Sequence, residues 1–114
     1  MPLLTIHTNQ TLSTEQQDEL IHSASQSMAE LLGKPESYVM VLLQSGQAMA
    51  FAGSREPCAY LELKSLGLPE ERTPHFSAAL CKLIAQHTGI VESRIYIEFA
   101  APARHMWGWD GHTF

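Results

Sequence analysis

The stretch Gly33-Lys34-Pro35-Glu36-Ser37-Tyr38-Val39-Met40-Val41, "GKPESYVMV", returns in altered form at residues 89–97 as "GIVESRIYI". Gly33 and Gly89, Glu36 and Glu92, Ser37 and Ser93, Val39 and Ile95, and Val41 and Ile97 are each 56 positions apart. Self-similarity at a fixed period indicates a repeated structural unit. The upstream segments keep the same offset: Leu20, Ala24 and Met28 fall on Phe76, Leu80 and Ile84, and Glu15 falls on Glu71. An apolar residue every fourth position marks one face of a helix. The chain therefore reads as one unit written twice.

Each copy reads strand–helix–strand. In the first, residues 2–8 are strand-like, and Ser13 with Gln16 three positions later forms a capping-box pattern. The helix that follows carries Leu20, Ala24, Met28, Leu31 and Leu32 inward and stops at Gly33. Residues 38–44, "YVMVLLQ", form the second strand. In the second copy, 58–66 is a strand, a helix runs from about Pro69 to about His87 with Gly89 as its stop, and 94–100 is the last main strand. Strands flanking a crossover helix lie parallel. The expected fold is α+β, a single domain over 1–114, with a four-stranded sheet and two helices on one face. Tyr38 to Leu43 is apolar at both parities, so both faces of that strand call for burial. Two helices cover only one face, and copies of the same chain are expected to cover the other.

Two segments lie outside the repeat. Residues 44–57 connect the halves, with a short edge strand expected around Met49–Phe51. The tail 105–114 holds both tryptophans, and its Asp110-Gly111 pair favours a hairpin turn. A hairpin packing its aromatics against a neighbour is one reading of that tail.

Composition narrows the function. With 114 residues, 45% of them apolar, the chain has the profile of one globular domain. It carries a net charge of −5 with seven scattered Lys and Arg, and it has no basic stripe for nucleic acid. No apolar run suits a membrane span, and no signal-peptide pattern is visible, so the expected compartment is the cytoplasm. Cys58 and Cys81 have neither CxxC nor zinc spacing, and the six histidines form no ligand motif. Free thiols and no metal site are expected.

Pro2 has two readings. Proline suits the first residue of a strand. Removal of Met1 would also leave a prolyl secondary amine, a base in search of a substrate. Set beside "MP" (1–2), "GKPESYVMV" (33–41), "MAFAGSREPCA" (49–59), "KSLG" (64–67), "SRIYIEF" (93–99) and "WGWDGHTF" (107–114), the chain resembles the tautomerase superfamily. Within it, the chain is most similar to the macrophage migration inhibitory factor and D-dopachrome tautomerase family.

The resemblance implies a homotrimer with pockets between subunits. It implies keto–enol tautomerisation of phenylpyruvate-like 2-oxo acids, or of dopachrome-type substrates, without a cofactor. By the same resemblance Pro2 is the general acid/base and Lys34 the partner of the substrate carboxylate. Ser65, Leu66 and Tyr38 line the pocket, Tyr96 comes from a neighbouring subunit, and Trp109 and Phe114 close the aromatic end. Without the resemblance, Lys34 reads as a cation at a helix C-terminus and Tyr96 as an interface residue. Glu98 stands where family members often carry an asparagine that bonds a substrate phenol. It either changes that contact, since a carboxylate only accepts, or points to solvent. The family's CxxC is broken, because Ala59, Tyr60 and Leu61 follow Cys58, and a thiol-redox activity is rejected. The alternative to an enzyme is a cytokine-like protein that binds a receptor and keeps only a vestige of the pocket. Relatives leave cells without a signal peptide, so export is compatible with this sequence.

Overall fold

The structure is a computed structural model describing residues 1–114. Its strands are β1 (Pro2–Thr8), β2 (Met40–Gln44), β3 (Ala59–Ser65) and β4 (Ile95–Ala100), and its helices are α1 (Thr14–Leu32) and α2 (Thr73–Thr88). The sheet order is β2-β1-β3-β4. β1 runs parallel to β2, β3 runs parallel to β4, and the two halves meet antiparallel through β1 and β3. This is the arrangement of two like units related by an approximate twofold axis between the central strands.

The sequence repeat becomes a geometric repeat at the helix ends. Gly33 (φ 63°) and Gly89 (φ 75°) both close their helices in the left-handed region, where a Cβ is unfavourable. At the first end, the Lys34 amide donates to the Ala29 carbonyl (3.0 Å) and the Gly33 amide to the Glu30 carbonyl (3.3 Å). These two bonds are those of a Schellman cap. At the other end of α1, Ser13 Oγ accepts from the Gln16 amide and Gln16 Oε1 accepts from the Ser13 amide. The capping box of the sequence is therefore formed.

Strand alternation sorts the residues onto two faces. Leu4 and Ile6 of β1 and Leu61 and Leu63 of β3 pack under the helices, against Leu20, Ala24 and Met28 of α1 and Phe76, Leu80 and Ile84 of α2. All of these are at most 1% exposed. The opposite face carries no helix. Register sets three rows across it: Met40–Leu3–Lys64–Ala100, Leu42–Thr5–Glu62–Glu98 and Gln44–His7–Tyr60–Tyr96. Met40 (61% exposed) and Leu42 (43%) lie bare on it, as the two-sided apolar run of β2 predicts.

β3 and β4 fall within one residue of expectation at each end, and three other segments differ more. β2 begins at Met40 rather than Tyr38, because Glu36–Tyr38 forms a 3₁₀ turn in which the Tyr38 amide bonds to Pro35. The same turn recurs at Glu92–Arg94. Helix α2 starts at Thr73, after a separate 3₁₀ turn at Glu70–Arg72. Pro74 has no N–H to return to the Glu70 carbonyl, so the α-helical ladder cannot run through from Pro69. The expected edge strand at Met49–Phe51 reduces to one bridge, Phe51 to Ser54, around a tight turn with Ala52 and Gly53 at positive φ. It has no second strand of the same chain beside it. The tail forms the expected hairpin from β5 (Gly108–Trp109) and β6 (His112–Thr113), with Asp110 (φ 52°) and Gly111 (φ 81°) at the turn.

Candidate active site

β1 delivers Pro2 to one end of the sheet, beside Ser65 of β3. Two cavities meet there. The first, about 420 Å³, is lined by Lys34, Pro35, Leu66, Gly67, Arg104 and Phe114 together with Met1 and Tyr38. The second, about 340 Å³, is again lined by Met1 and Tyr38, now with Pro2, Met40, Trp107 and Trp109 among its walls. Both volumes fall within the range typical of small-molecule sites.

Each wall has a local cause. The Schellman cap fixes the chain at Lys34, and Pro35 with the 3₁₀ turn presents Tyr38. The tail hairpin folds back through a bond from the Phe114 amide to the Trp107 carbonyl (3.2 Å). That closure stacks Trp109 on Phe114 (centroids 5.9 Å, 13° between planes) and sets Tyr38 edge-on to Trp109 (6.0 Å, 83°). The result is an aromatic wall around the second cavity and part of the first.

Lys34 and Arg104 line the first cavity, and no Asp or Glu side chain does. Burial, then the Lys34 cation, then that of Arg104, push the α-amine of Met1 below its ordinary value. An amine placed here is thus acidified by its surroundings. In the chain that begins at Met1, the Pro2 nitrogen is an amide and has no basic lone pair.

The chain belongs to the macrophage migration inhibitory factor family. The family described as "Macrophage migration inhibitory factor (MIF)" matches residues 1–114. The chain is 40% identical to a macrophage migration inhibitory factor homolog of Brugia malayi, over 100% of this chain and 99% of that one. It is 35% identical to macrophage migration inhibitory factor of Meriones unguiculatus, again over 100% and 99%. Among solved structures it is similar to the homologue from Prochlorococcus marinus (TM-score 0.93, 42% identity, 98% of each chain). It is also similar to the Trichinella spiralis factor (TM-score 0.92, 33% identity, 98% and 99%).

The site residues expected from sequence divide into two groups. Pro2, Lys34, Tyr38, Leu66, Trp109 and Phe114 gather around the paired cavities. Ser65 is buried beside Pro2 as its strand partner, outside the lining. Tyr96 and Glu98 lie elsewhere, on the bare face of the sheet. Tyr96 pairs with Tyr60 and Pro2 with Ser65. Five residues of β3 separate the two rows, about 17 Å along a strand. One chain cannot bring Tyr96 to its own Pro2. Glu98 is engaged locally: the Tyr60 hydroxyl lies 2.9 Å from Glu98 Oε2 and 3.0 Å from Glu62 Oε1, so its one proton is shared between two carboxylates. These contacts, that with Glu98 foremost, together with burial, push the Tyr60 phenol well above its ordinary value. Lys64 sits 3.6 Å from Glu62 on the same face.

Arg104, Trp107, Pro35 and Gly67 line the cavities but were not singled out from sequence. Pro35 and Gly67 adjoin residues that were. Arg104 lies in an irregular link, in the 3₁₀ turn Arg104–Met106, and no local pattern announces its position. Both cysteines are free thiols, as expected, and Cys58 is buried. No helix is long and apolar enough to cross a membrane.

Proposed function

We propose that this chain is a cofactor-independent keto–enol tautomerase acting on phenylpyruvate-like aromatic 2-oxo acids, with dopachrome-type compounds as further substrates. The observation that carries the reading is the position of Pro2, in the wall of the second cavity and next to Met1, whose amine is made less basic by burial and two cations. Removal of Met1, which lines both cavities, frees the prolyl nitrogen. A base with its pKa brought toward neutrality is what proton abstraction beside a carbonyl requires.

In this mechanism the substrate carboxylate meets Lys34, and its ring lies among Tyr38, Trp109 and Phe114. Leu66 forms an apolar wall, and its backbone amide faces the substrate oxygen. Neutral Pro2 takes the proton from the carbon beside the carbonyl. The C–H electron pair becomes the C=C bond, and the carbonyl π pair moves to oxygen. The proton then returns on oxygen, so the step is an isomerisation with no oxidant or reductant. The pocket is completed in a homotrimer that covers the bare face bearing Met40 and Leu42 and brings Tyr96 and Glu98 of one chain to Pro2 of the next.

The test is phenylpyruvate tautomerase activity in wild type and Pro2→Ala, with intact mass on both samples. Activity in wild type and its loss in Pro2→Ala is expected. A wild type with a verified N-terminal proline and no activity on any 2-oxo acid overturns the reading and leaves the receptor-binding alternative.

A further inference from the structure

The sequence is acidic overall, with twelve Asp and Glu against seven Lys and Arg, yet two of its cations face one cavity that no Asp or Glu side chain lines. Neither has an ionic partner in the chain, whose one salt bridge is Lys64–Glu62. Two of the other three arginines are committed elsewhere. The Arg94 guanidinium donates to the carbonyls of Ser54, Glu56 and Pro57, and that of Arg72 lies 5.1 Å over the Phe76 ring. Arg104 has no such employment. It reaches the cavity from the turn after β4, whereas Lys34 reaches it from the end of α1, so the two cations offer separate anchor points.

We propose that Arg104 is a second anion-binding residue of this pocket, and that the preferred substrate is a dianionic aromatic 2-oxo acid. Its 2-oxo carboxylate binds at Lys34 and a second acidic group binds at Arg104. This inference rests on the tautomerase reading and narrows its substrate class. Arg104 is exposed in the chain, and a monoacid held at Lys34 leaves its guanidinium beside the occupied cavity without an ionic partner, at the cost of an unmade charge-assisted bond. A second carboxylate removes that cost and can take two parallel bonds from the guanidinium. A cavity of about 420 Å³ has room for an aromatic ring carrying both groups.

The experiment compares phenylpyruvate with 4-carboxyphenylpyruvate in wild type, Arg104→Gln, Arg104→Lys and, as a charge control on the far side of α2, Lys82→Gln. Wild type is expected to favour the diacid in kcat/KM. Arg104→Gln is expected to erase about a ten- to hundred-fold share of that preference, the span of a charge-assisted hydrogen bond, chiefly through KM. Arg104→Lys recovers part of it, and Lys82→Gln behaves as wild type. A wild type that prefers the monoacid overturns the proposal. So does an Arg104→Gln loss equal on both substrates, which would assign the guanidinium to charge developing on the shared 2-oxo oxygen. Should neither compound be turned over, the tautomerase reading fails, and calorimetric titration of both then decides the anion site alone. Tighter diacid binding that depends on Arg104 sustains the site, and equal binding of the two acids overturns it.

Discussion

Lengthening the chain by one residue ahead of Pro2 is the most direct test of the proposed chemistry. In a variant with alanine inserted between Met1 and Pro2, loss of the initiator leaves the alanine in place and the Pro2 nitrogen acylated. The nearest amine then moves one Cα step, about 3.8 Å, toward the cavity opening. Nothing else in the fold need change, because Pro2 keeps its place opposite Ser65 and β1 keeps its ladder. Two effects add. Loss of a positioned general base costs about 10²- to 10⁴-fold, which is about 3–5 kcal/mol of barrier. The added residue also occupies the position of Met1, which lines both cavities. The assay is phenylpyruvate enolisation followed by ultraviolet absorbance, with intact mass establishing the N-terminus of each sample. The processed wild type has its own signature across pH. Because the neutral amine is the base, kcat/KM rises with pH through the amine's pKa. That rise lies below the ordinary N-terminal range, since burial, Lys34 and Arg104 all disfavour the charged form. An extended chain that keeps more than about a tenth of wild-type activity would refute a prolyl base.

Three further outcomes follow from the geometry. Gly33→Ala places a Cβ at φ 63° and should cost about 1–2 kcal/mol in urea unfolding, while raising KM because the same cap positions Lys34. Leu42→Glu, on the bare sheet face beside Thr5 and in the row of Glu62 and Glu98, should turn the proposed trimer into monomers in light scattering, with activity falling in step; a variant that remains trimeric refutes burial of this face. Tyr60→Phe should remove an alkaline-side loss of stability. The folded chain holds the phenol's pKa above its unfolded value, so this contribution is complete below about pH 10 and drains as pH rises beyond it. The difference between wild-type and variant denaturation midpoints should therefore shrink above pH 10, and a constant difference counts against the shared proton.

The repeat and its two glycine stops were legible because each left-handed helix cap needs a residue without a Cβ, and the sequence supplies one at both places. The buried helix stripes were legible for a similar reason, since a spacing of four has one structural meaning over that length. The start of α2 was not. Pro69 and Pro74 are both plausible first-turn prolines, and only the missing Glu70-to-Pro74 bond decides between them. Arg104 was beyond reach, because its place in the cavity depends on the tail hairpin folding back to bond Phe114 to Trp107. Tyr60 was also missed as a partner of Glu98. That contact follows from the register of β3 on β4, which places Glu62 level with Glu98 and Tyr60 level with Tyr96.

The two halves share a backbone, so the candidate site can be found where their side chains stop agreeing. Fifty-six positions after Pro2 stands Cys58, buried and in mid-chain, where no terminal amine exists. After Lys34 the equivalent is Ile90, 1% exposed and part of the core. After Tyr38 it is Arg94, whose guanidinium is spent on three loop carbonyls. Ile90 and Arg94 serve to hold the fold together, whereas their first-half counterparts face a cavity; Cys58 lines a separate, wholly apolar cavity. Both cap glycines are left-handed, but the Schellman pair at Gly33 leads Lys34 to the cavity, whereas the single Gly89-to-Ala85 bond leads Ile90 into the core. Of the two equivalent strand–helix–strand corners, the one that starts at Pro2 carries the proposed amine. The other corner was free to become structural, which is why the departures from the repeat, rather than the repeat itself, mark the chemistry.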